Sequence, residues 1–599
     1  MIKYIPLFLF PYLMWAQDTT IIQEFEEIVI SSERIEYPVL KSSKTIEIIN
    51  SEAIIASGFN NISDLLQQVA GLDIRRRGVY GMQADLYIRG GSFDQTLLLI
   101  DGIRVEDAQT GHHLLNLLPS VHIIERIEIY KGPAARALGQ NAFTGAINIV
   151  TKKTTETEGL ASISGGSFGL AEGEIIVPFL EKHIFQAGYI RSDGYRYNTD
   201  FEGLRLALKS DFDLAGIPVQ LNGNYQSRDF GANGFYARPT AKDQYEETRT
   251  GLVSLTSRIE TSKGIILKPA LYLRSNSDHY LFVRDNPAIY ENNHQTYKAG
   301  AMLNAFIPSK IGGTGLGIDI SETIIESNNL GNHQRSTINL FGEHRFNLFS
   351  EKLDITPGIT LNHYSDFGWF AYPGIDVGLN ILPEFKTYAN WGYTFRIPTY
   401  TDLFYNDPVT LGNPELIPEK ASSAEIGFQW NFLQAAFFSR NALNVIDYVK
   451  QDPTDIKDKA ENIRRINTRG IEINAQKILG KQHIRVGYTY IFEDLKDVPV
   501  YFSRYSLNSL KNQIIISWTG EIFPKFRHQL HYRWVERTNG LKYGVIDAGL
   551  EAQLFKSLHF QFFVSNILDK EYSETNLVPM PGTNFRGIFT YRFNHLFKK

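Results

Sequence analysis

The sequence predicts an all-β membrane protein, a large antiparallel β-barrel preceded by a small mixed α/β domain. Three observations carry this. From Gly159 onward, segment after segment alternates apolar and polar residues with a period of two, as in a sheet with two unlike faces. No apolar run approaches the ~18 residues of a membrane-spanning helix, so strands would have to do the crossing. Aromatic residues are abundant, with 31 Tyr and 39 Phe, and cysteine is absent. That composition suits a closed barrel with aromatic girdles at its lipid interfaces and no disulfide framework.

The chain opens as an exported protein does. Lys3, a short apolar core over Ile5–Met14 and the small residue Ala16 read as a signal peptide over residues 1–16, with Gln17 first in the mature chain. Pro6 and Pro11 count against a buried first helix. Residues 17–40 are mostly polar around Glu26-Glu27-Ile28-Val29-Ile30, a short β-prone run suited to adding as a strand to a partner. The net charge of −5, from 60 basic and 65 acidic residues, argues against a nucleic-acid partner. Arg75–Arg77 and Lys152-Lys153 read as solvated turn charges.

Residues 41–155 form the mixed domain. Ser63–Leu72 reads as a short helix with Ser63 as N-cap and Gly71 closing it. Leu97–Ile100, Ile123–Tyr130 and Ala146–Val150 read as strands. Arg89-Gly90-Gly91 and Asp101-Gly102 mark tight turns that need positive φ. Two loops, Arg75–Ala84 and Glu106–Leu115, lie between these elements. The second holds Asp107, Gln109, Thr110, His112 and His113, read as polar residues near a ligand. Neighbouring residues of an extended chain point to opposite faces, so His112 and His113 would not chelate one ion together.

Residues 156–599 form the barrel. Phe385, Thr387, Ala389, Trp391, Tyr393 and Phe395 fall on one face of a strand, and Lys386, Tyr388, Asn390, Gly392, Thr394 and Arg396 on the other. Ile484–Tyr490 and Leu558–Val564 repeat the pattern, with Phe563 as an exception. One face meets lipid and the other a polar lumen. A soluble propeller would show blade repeats, which the sequence lacks.

Four motifs give the chain a family resemblance: the segments IRGG, LLLIDGIRV, ERIEIYKGP and ALGQNAFTGAINIVTKK, in that order between Asp85 and Lys153. They resemble the plug domain of TonB-dependent outer-membrane receptors. Trp391–Ile426 and the block ending at Phe593 resemble barrel landmarks of the same family, although six residues follow Phe593. The resemblance implies a 22-stranded barrel with the plug in its lumen, a monomer in outer-membrane lipid. It makes Glu26, Glu27, Ile28, Val29 and Ile30 the TonB box, and TonB with its inner-membrane energising complex the partner. Allowing for connections, about 20 residues per strand remain, against the ~9–11 that spanning takes, so the outer loops are short on average. That size resembles the compact cobalamin receptors.

The function implied is active import of a scarce ligand, an organometallic compound or an iron chelate, with no bond made or broken and no cofactor required. HExxH and P-loop motifs are absent from the sequence. The ligand site is assigned to the plug loop Asp107–His113 and to Phe230, Asn233, Phe235 and Tyr236 of an early outer loop. Cobalamin-like cargo is favoured, with a ferric siderophore as the alternative. Haem is disfavoured because Ile397–Gly412 holds no histidine where haem receptors carry one. A passive porin would need neither plug nor TonB box. Resemblance to the B12 receptors also makes Asp193, Asp200, Asp229 and Asp243 candidate calcium ligands, and a surface lipoprotein could assist.

Overall fold

The computed structural model describes residues 35, 37–38, 41–133, 138–236, 239–496, 502–503, 509–575 and 578–594. The signal and coupling segments assigned above lie outside these residues.

Among the described residues, 22 long strands close into an antiparallel barrel, from Gly159–Gly166 to Asn584–Phe593. Closure pairs the first with the last, Gly159 opposite Phe593, which leaves no open edge in the hydrocarbon. One end of the barrel carries tight turns such as Ala215-Gly216. The other end carries the longer connections, of which residues 397–418 fold inward over the lumen.

The alternation maps onto the two faces as expected. In Phe385–Arg396, Lys386, Tyr388, Asn390, Thr394 and Arg396 are buried, while Trp391 and Tyr393 are exposed on the outside. The lumen is not watery along this strand. Lys386 Nζ donates to the carbonyl of Lys41 at 2.7 Å, Tyr388 Oη lies 2.7 Å from Thr45 Oγ1, and Thr394 Oγ1 donates to the carbonyl of Phe143 at 3.1 Å. Phe395 departs from its set: it is buried and stacks on Tyr372 at 3.8 Å. Phe563 breaks its own alternation because it points inward, edge-on to Phe59 of the plug at 5.3 Å.

The plug is a five-stranded mixed sheet in the order Ile46–Asn50, Ile124–Lys131, Gly145–Thr151, Thr96–Ile100 and Ile103–Arg104. Only the pair Thr96–Ile100 with Gly145–Thr151 is parallel within it. Leu65, Leu66 and Val69 pack with Ile127, Ile129, Ile147 and Ile149 into one apolar core. A separate hairpin pairs Leu72–Arg76 with Ala84–Ile88. Asp101 and Gly102 both have positive φ, +49° and +79°, the two-residue turn whose twist matches its flanking strands.

Two local expectations are corrected. The helix spans Ile62–Leu66, and its N-cap is Asn61, whose side chain accepts from Asp64 N at 2.8 Å; Ser63 is already inside the first turn. A preceding helix, Ser51–Ser57, is capped by Asn50 in the same way. Arg75–Arg77 are not solvated, because their strand and loop pack into the lumen. There burial demands partners. Arg75 pairs with Asp73 at 2.8 Å, Arg76 with Glu574 at 2.8 Å and Asp64 at 2.7 Å, and Arg77 with Asp85 at 2.6 Å.

The plug is held by a buried ionic seam. Arg89 Nη1 lies 2.5 Å from Glu425 and Nε 3.1 Å from Glu472, both on barrel strands. Lys131 bridges the same Glu472 at 2.5 Å to Glu47 at 2.9 Å. Arg537 of the barrel closes on Asp73 of the plug at 2.7 Å.

Candidate functional site: the cavity between plug and barrel

A cavity of about 190 Å³ lies between one face of the plug and the inner barrel, beneath the infolded connection 397–418. From the plug come Arg75, Arg77, Phe93 and Asp94, then Gln109, Thr110, His112 and His113. From the barrel come Tyr236, Glu246, Asp278, Tyr280 and His294, and then Tyr405 and Tyr448.

The plug side is shaped by a single tight turn. Thr110 caps the 3-10 turn Gly111–His113, its side chain accepting from His112 N at 3.3 Å. Gly111 N donates to Asp94 Oδ1 at 2.6 Å, and a Cβ on Gly111 would sit 2.6 Å from that oxygen, so the approach requires glycine. The turn sends the two imidazoles apart. His112 stacks on Phe93 at 4.0 Å, with Nδ1 2.7 Å from Asp85 Oδ1. His113 faces the barrel, with Nε2 3.3 Å from Asp278 Oδ2 and Nδ1 2.9 Å from the Asn116 amide.

The barrel side follows from register. Asp278 opposes Thr248 on one neighbouring strand and His294 on the other, and Glu246 opposes Tyr280. Glu246 and Asp278 are therefore diagonal neighbours on the lumen face of adjacent strands. The roof is tied to the plug by backbone: Tyr400 N donates to Ala108 O at 2.9 Å and Thr401 N to Gln109 O at 3.1 Å. Arg396 anchors it through Asp402 at 2.9 Å and Glu419 at 3.1 Å.

Burial sets the titration of the plug groups. Burial would raise the Asp85 carboxyl, but Arg77 and His112 outweigh it and hold Asp85 well below the usual carboxylate range. Burial lowers His112 despite the opposing Asp85. Burial, aided by Asp402 and Glu419 and opposed by Arg396, pushes Asp94 up to about 7. Burial would lower His113, but Asp278, Asp107 and Glu246 push it up to about 9.

Of the residues assigned to ligand contact, Gln109, Thr110, His112, His113, Phe235 and Tyr236 line this cavity. Three do not. Asp107 lies behind it, bound to Arg274 at 2.6 Å and Thr296 at 2.9 Å. Phe230 packs in an apolar cluster with Met82, Phe201 and Phe235. Asn233 Nδ2 donates to the carbonyl of Tyr197 at 2.6 Å, holding two outer loops together. Among the four candidate calcium ligands, Asp200 pairs with Arg284 at 2.7 Å and Asp229 pairs with Arg249. Asp243 accepts from Tyr197 Oη at 2.7 Å, and no three of the four carboxylates gather within reach of one ion. The residues that sequence reasoning missed are Asp94, Glu246, Asp278 and His294. A charged residue at a lumen position of a lipid-facing strand was the available signal for Glu246 and Asp278.

A closed barrel filled by a small mixed domain, with a polar cavity between the two, defines a plugged outer-membrane receptor. The chain belongs to the TonB-dependent receptor family: the family described as "TonB dependent receptor-like, beta-barrel" matches residues 164–567, and the "TonB-dependent Receptor Plug Domain" matches residues 38–146. It is an outer-membrane protein. Among similar curated proteins, the vitamin B12 transporter BtuB of Vibrio cholerae is 23% identical over 590 residues, covering 93% of this chain and 94% of the relative. BtuB of Vibrio vulnificus is 24% identical over 460 residues, covering 72% and 73%. Among solved structures, the siderophore receptor PirA from Acinetobacter baumannii has a TM-score of 0.75 at 15% identity, covering 92% of this chain and 99% of that one. The ferric enterobactin receptor PfeA superposes with a TM-score of 0.72 at 16% identity, covering 92% and 100%. At these identities the solved structures establish the fold alone.

Proposed function

We propose that the protein imports a scarce ligand from outside the cell, driven by TonB acting on Glu26–Ile30, with cobalamin-like corrinoids as the cargo. The observation that carries the transport reading is the position of the cavity. It lies between the barrel and the plug that fills the barrel, so a ligand seated there advances only if the plug moves. TonB supplies that movement by pairing with the coupling strand and pulling. The side chains around the cavity bind and orient; the reading needs no bond to be made or broken. The corrinoid assignment is supported by relatives named vitamin B12 transporters that align along most of the chain.

A second reading, a compact metal chelate of siderophore type, is favoured by one feature. The cavity of about 190 Å³ lies below the ~300–1,000 Å³ usual for ligand pockets, so a corrinoid would seat only one edge in it. The test is uptake of labelled cobalamin by cells carrying this protein as their sole candidate receptor. Accumulation that is lost in Ile28→Pro, with surface binding retained, supports corrinoid import. Absence of cobalamin binding and uptake, with growth on a ferric chelate, would favour the second reading.

A further inference from the structure

We propose that His113, Glu246 and Asp278 form a binding site for a divalent transition-metal ion that joins the plug to the barrel across the cavity. The proposal rests on the reading of this cavity as the ligand site and names a chemistry within it.

The ligand atoms of these three residues all lie within 4.8 Å of one another, and all three side chains are more than nine-tenths buried. One imidazole nitrogen and two carboxylate oxygens suit ions such as Zn²⁺, Ni²⁺ or Co²⁺, whereas Ca²⁺ and Mg²⁺ prefer oxygen alone. Each of the three residues also carries a buried polar atom with no hydrogen-bond partner among the described residues. His113 Nε2, Glu246 Oε2 and Asp278 Oδ1 make no hydrogen bond among the described residues, although Nε2 stands 3.3 Å from Asp278 Oδ2. Three such residues, with ligand atoms converging to within 4.8 Å, offer what a bound cation would satisfy.

The surrounding groups hold the donors as outer-shell partners of a metal site do. Gln109 Nε2 donates to Asp278 Oδ2 at 2.6 Å, fixing that carboxylate with Oδ1 free. Tyr236 lines the cavity together with Glu246. The Asn116 amide meets His113 Nδ1 at 2.9 Å; with its oxygen turned to that nitrogen it would accept Nδ1–H and leave Nε2 free to ligate. His294, opposite Asp278 and lining the same cavity, offers a further imidazole.

The division of ligands has a consequence for transport. One comes from the plug and two from the barrel, so displacing the plug strips the nitrogen ligand from the ion. Such a site captures when the plug is seated and releases when it moves. The competing interpretation is an imidazolium clamped by two carboxylates, which binds a proton and no metal.

The full chain, purified in detergent and stripped with a chelator, is titrated with Zn²⁺, Ni²⁺ and Co²⁺, with Ca²⁺ as control, by calorimetry and by elemental analysis after desalting. One equivalent of a transition ion is expected, with Ca²⁺ in excess failing to displace it. His113→Ala, Glu246→Gln and Asp278→Asn should each weaken binding by at least the roughly 10–100-fold that outer-shell partners carry. Heat-modifiable migration on a gel confirms that each variant is a folded barrel, and the near-isosteric amide variants keep the test valid if His113→Ala is misfolded. Absence of stoichiometric binding to the wild-type chain, or unchanged affinity in the folded amide variants, would overturn the site. Neither result depends on uptake, so a protein that binds metal but fails to import cobalamin would count against the corrinoid reading alone.

Discussion

The two contacts between plug and barrel, the seam at Arg89 and the cavity wall at His113, are built from the same residue types to opposite ends. At the seam, one arginine and one lysine face Glu425, Glu472 and Glu47 at 2.5 to 3.1 Å, with all but Glu47 fully enclosed. At the cavity, His113 faces Glu246 and Asp278 with three ligand atoms unpartnered among the described residues. At the seam every carboxylate meets a cation, although Arg89 Nη2 has no partner among the described residues; at the cavity the imidazole and both carboxylates each keep an unpartnered atom, which gives capacity for something from outside. The difference separates a fastening from a binding site without reference to any ligand.

The sharpest way to break the comparison is to remove the fastening. Arg89→Ala leaves Glu425 buried with no cation paired to it and Glu472 with Lys131 alone as a paired cation among the described residues, and losing one partner of a buried pair costs ~3–5 kcal/mol. The expected outcome is a folded barrel whose plug is cut by protease under conditions where the wild-type plug resists. Wild-type protection would show that the seam carries little.

Barrel polarity gives the next largest effect. Trp391→Arg places a charge on the lipid face and should destabilise the barrel by ~2–4 kcal/mol at mid-membrane, less near an interface. Asn390→Arg, one residue away, points at Ser43 and Asp376 and should spare the barrel while loosening the plug. Urea unfolding in lipid vesicles ranks the two, and the reverse ranking would overturn the register.

A smaller change sharpens the cavity side. Tyr236→Phe removes a hydroxyl from the cavity wall that Glu246 shares and should weaken ligand or metal affinity by about 1 kcal/mol, with the loop intact. Phe235→Ala is a different experiment, since Phe235 is fully buried in an apolar cluster, and its truncation should disorder the loop. Equal effects from the two variants would deny Tyr236 a polar role.

A pH dependence is expected from Asp94. Its carboxyl is raised by burial to about 7, above its ordinary value of 3.8. A group raised on folding favours the folded state at low pH, and that contribution is lost as pH rises through about 7. Plug stability, read by hydrogen exchange, should therefore fall between about pH 4 and pH 7, and Asp94→Asn should flatten the profile.

Much of this fold was legible in the sequence because its rules are local. Alternation over Phe385–Arg396 named the lumen residues, and Asp101-Gly102 announced its turn. What failed locally failed where the lumen is filled. Phe395 and Phe563 broke the two-face rule because each packs against aromatic neighbours that sequence spacing cannot reveal. Arg75–Arg77 read as solvated because nothing nearby in sequence announces Glu574, some 500 residues away. The plug half of the cavity was readable, since its loop is bounded by recognisable motifs. The barrel half was not: Glu246 and Asp278 meet His113 only through strand order and register, which close more than a hundred residues of chain.

The central claim is that the plug must move for cargo to pass, and one measurement tests it most directly. The chain contains no cysteine, so an engineered pair is free of background thiols. A Cβ at Gly487 of the barrel would lie 2.8 Å from Cβ of Ala70 in the plug, a small adjustment from the ~3.8 Å of a disulfide. In cells carrying Ala70→Cys with Gly487→Cys, labelled cobalamin should bind to the surface but not accumulate while the bridge is intact, and accumulate once a reductant opens it. Accumulation at the wild-type rate with the bridge intact would contradict the claim.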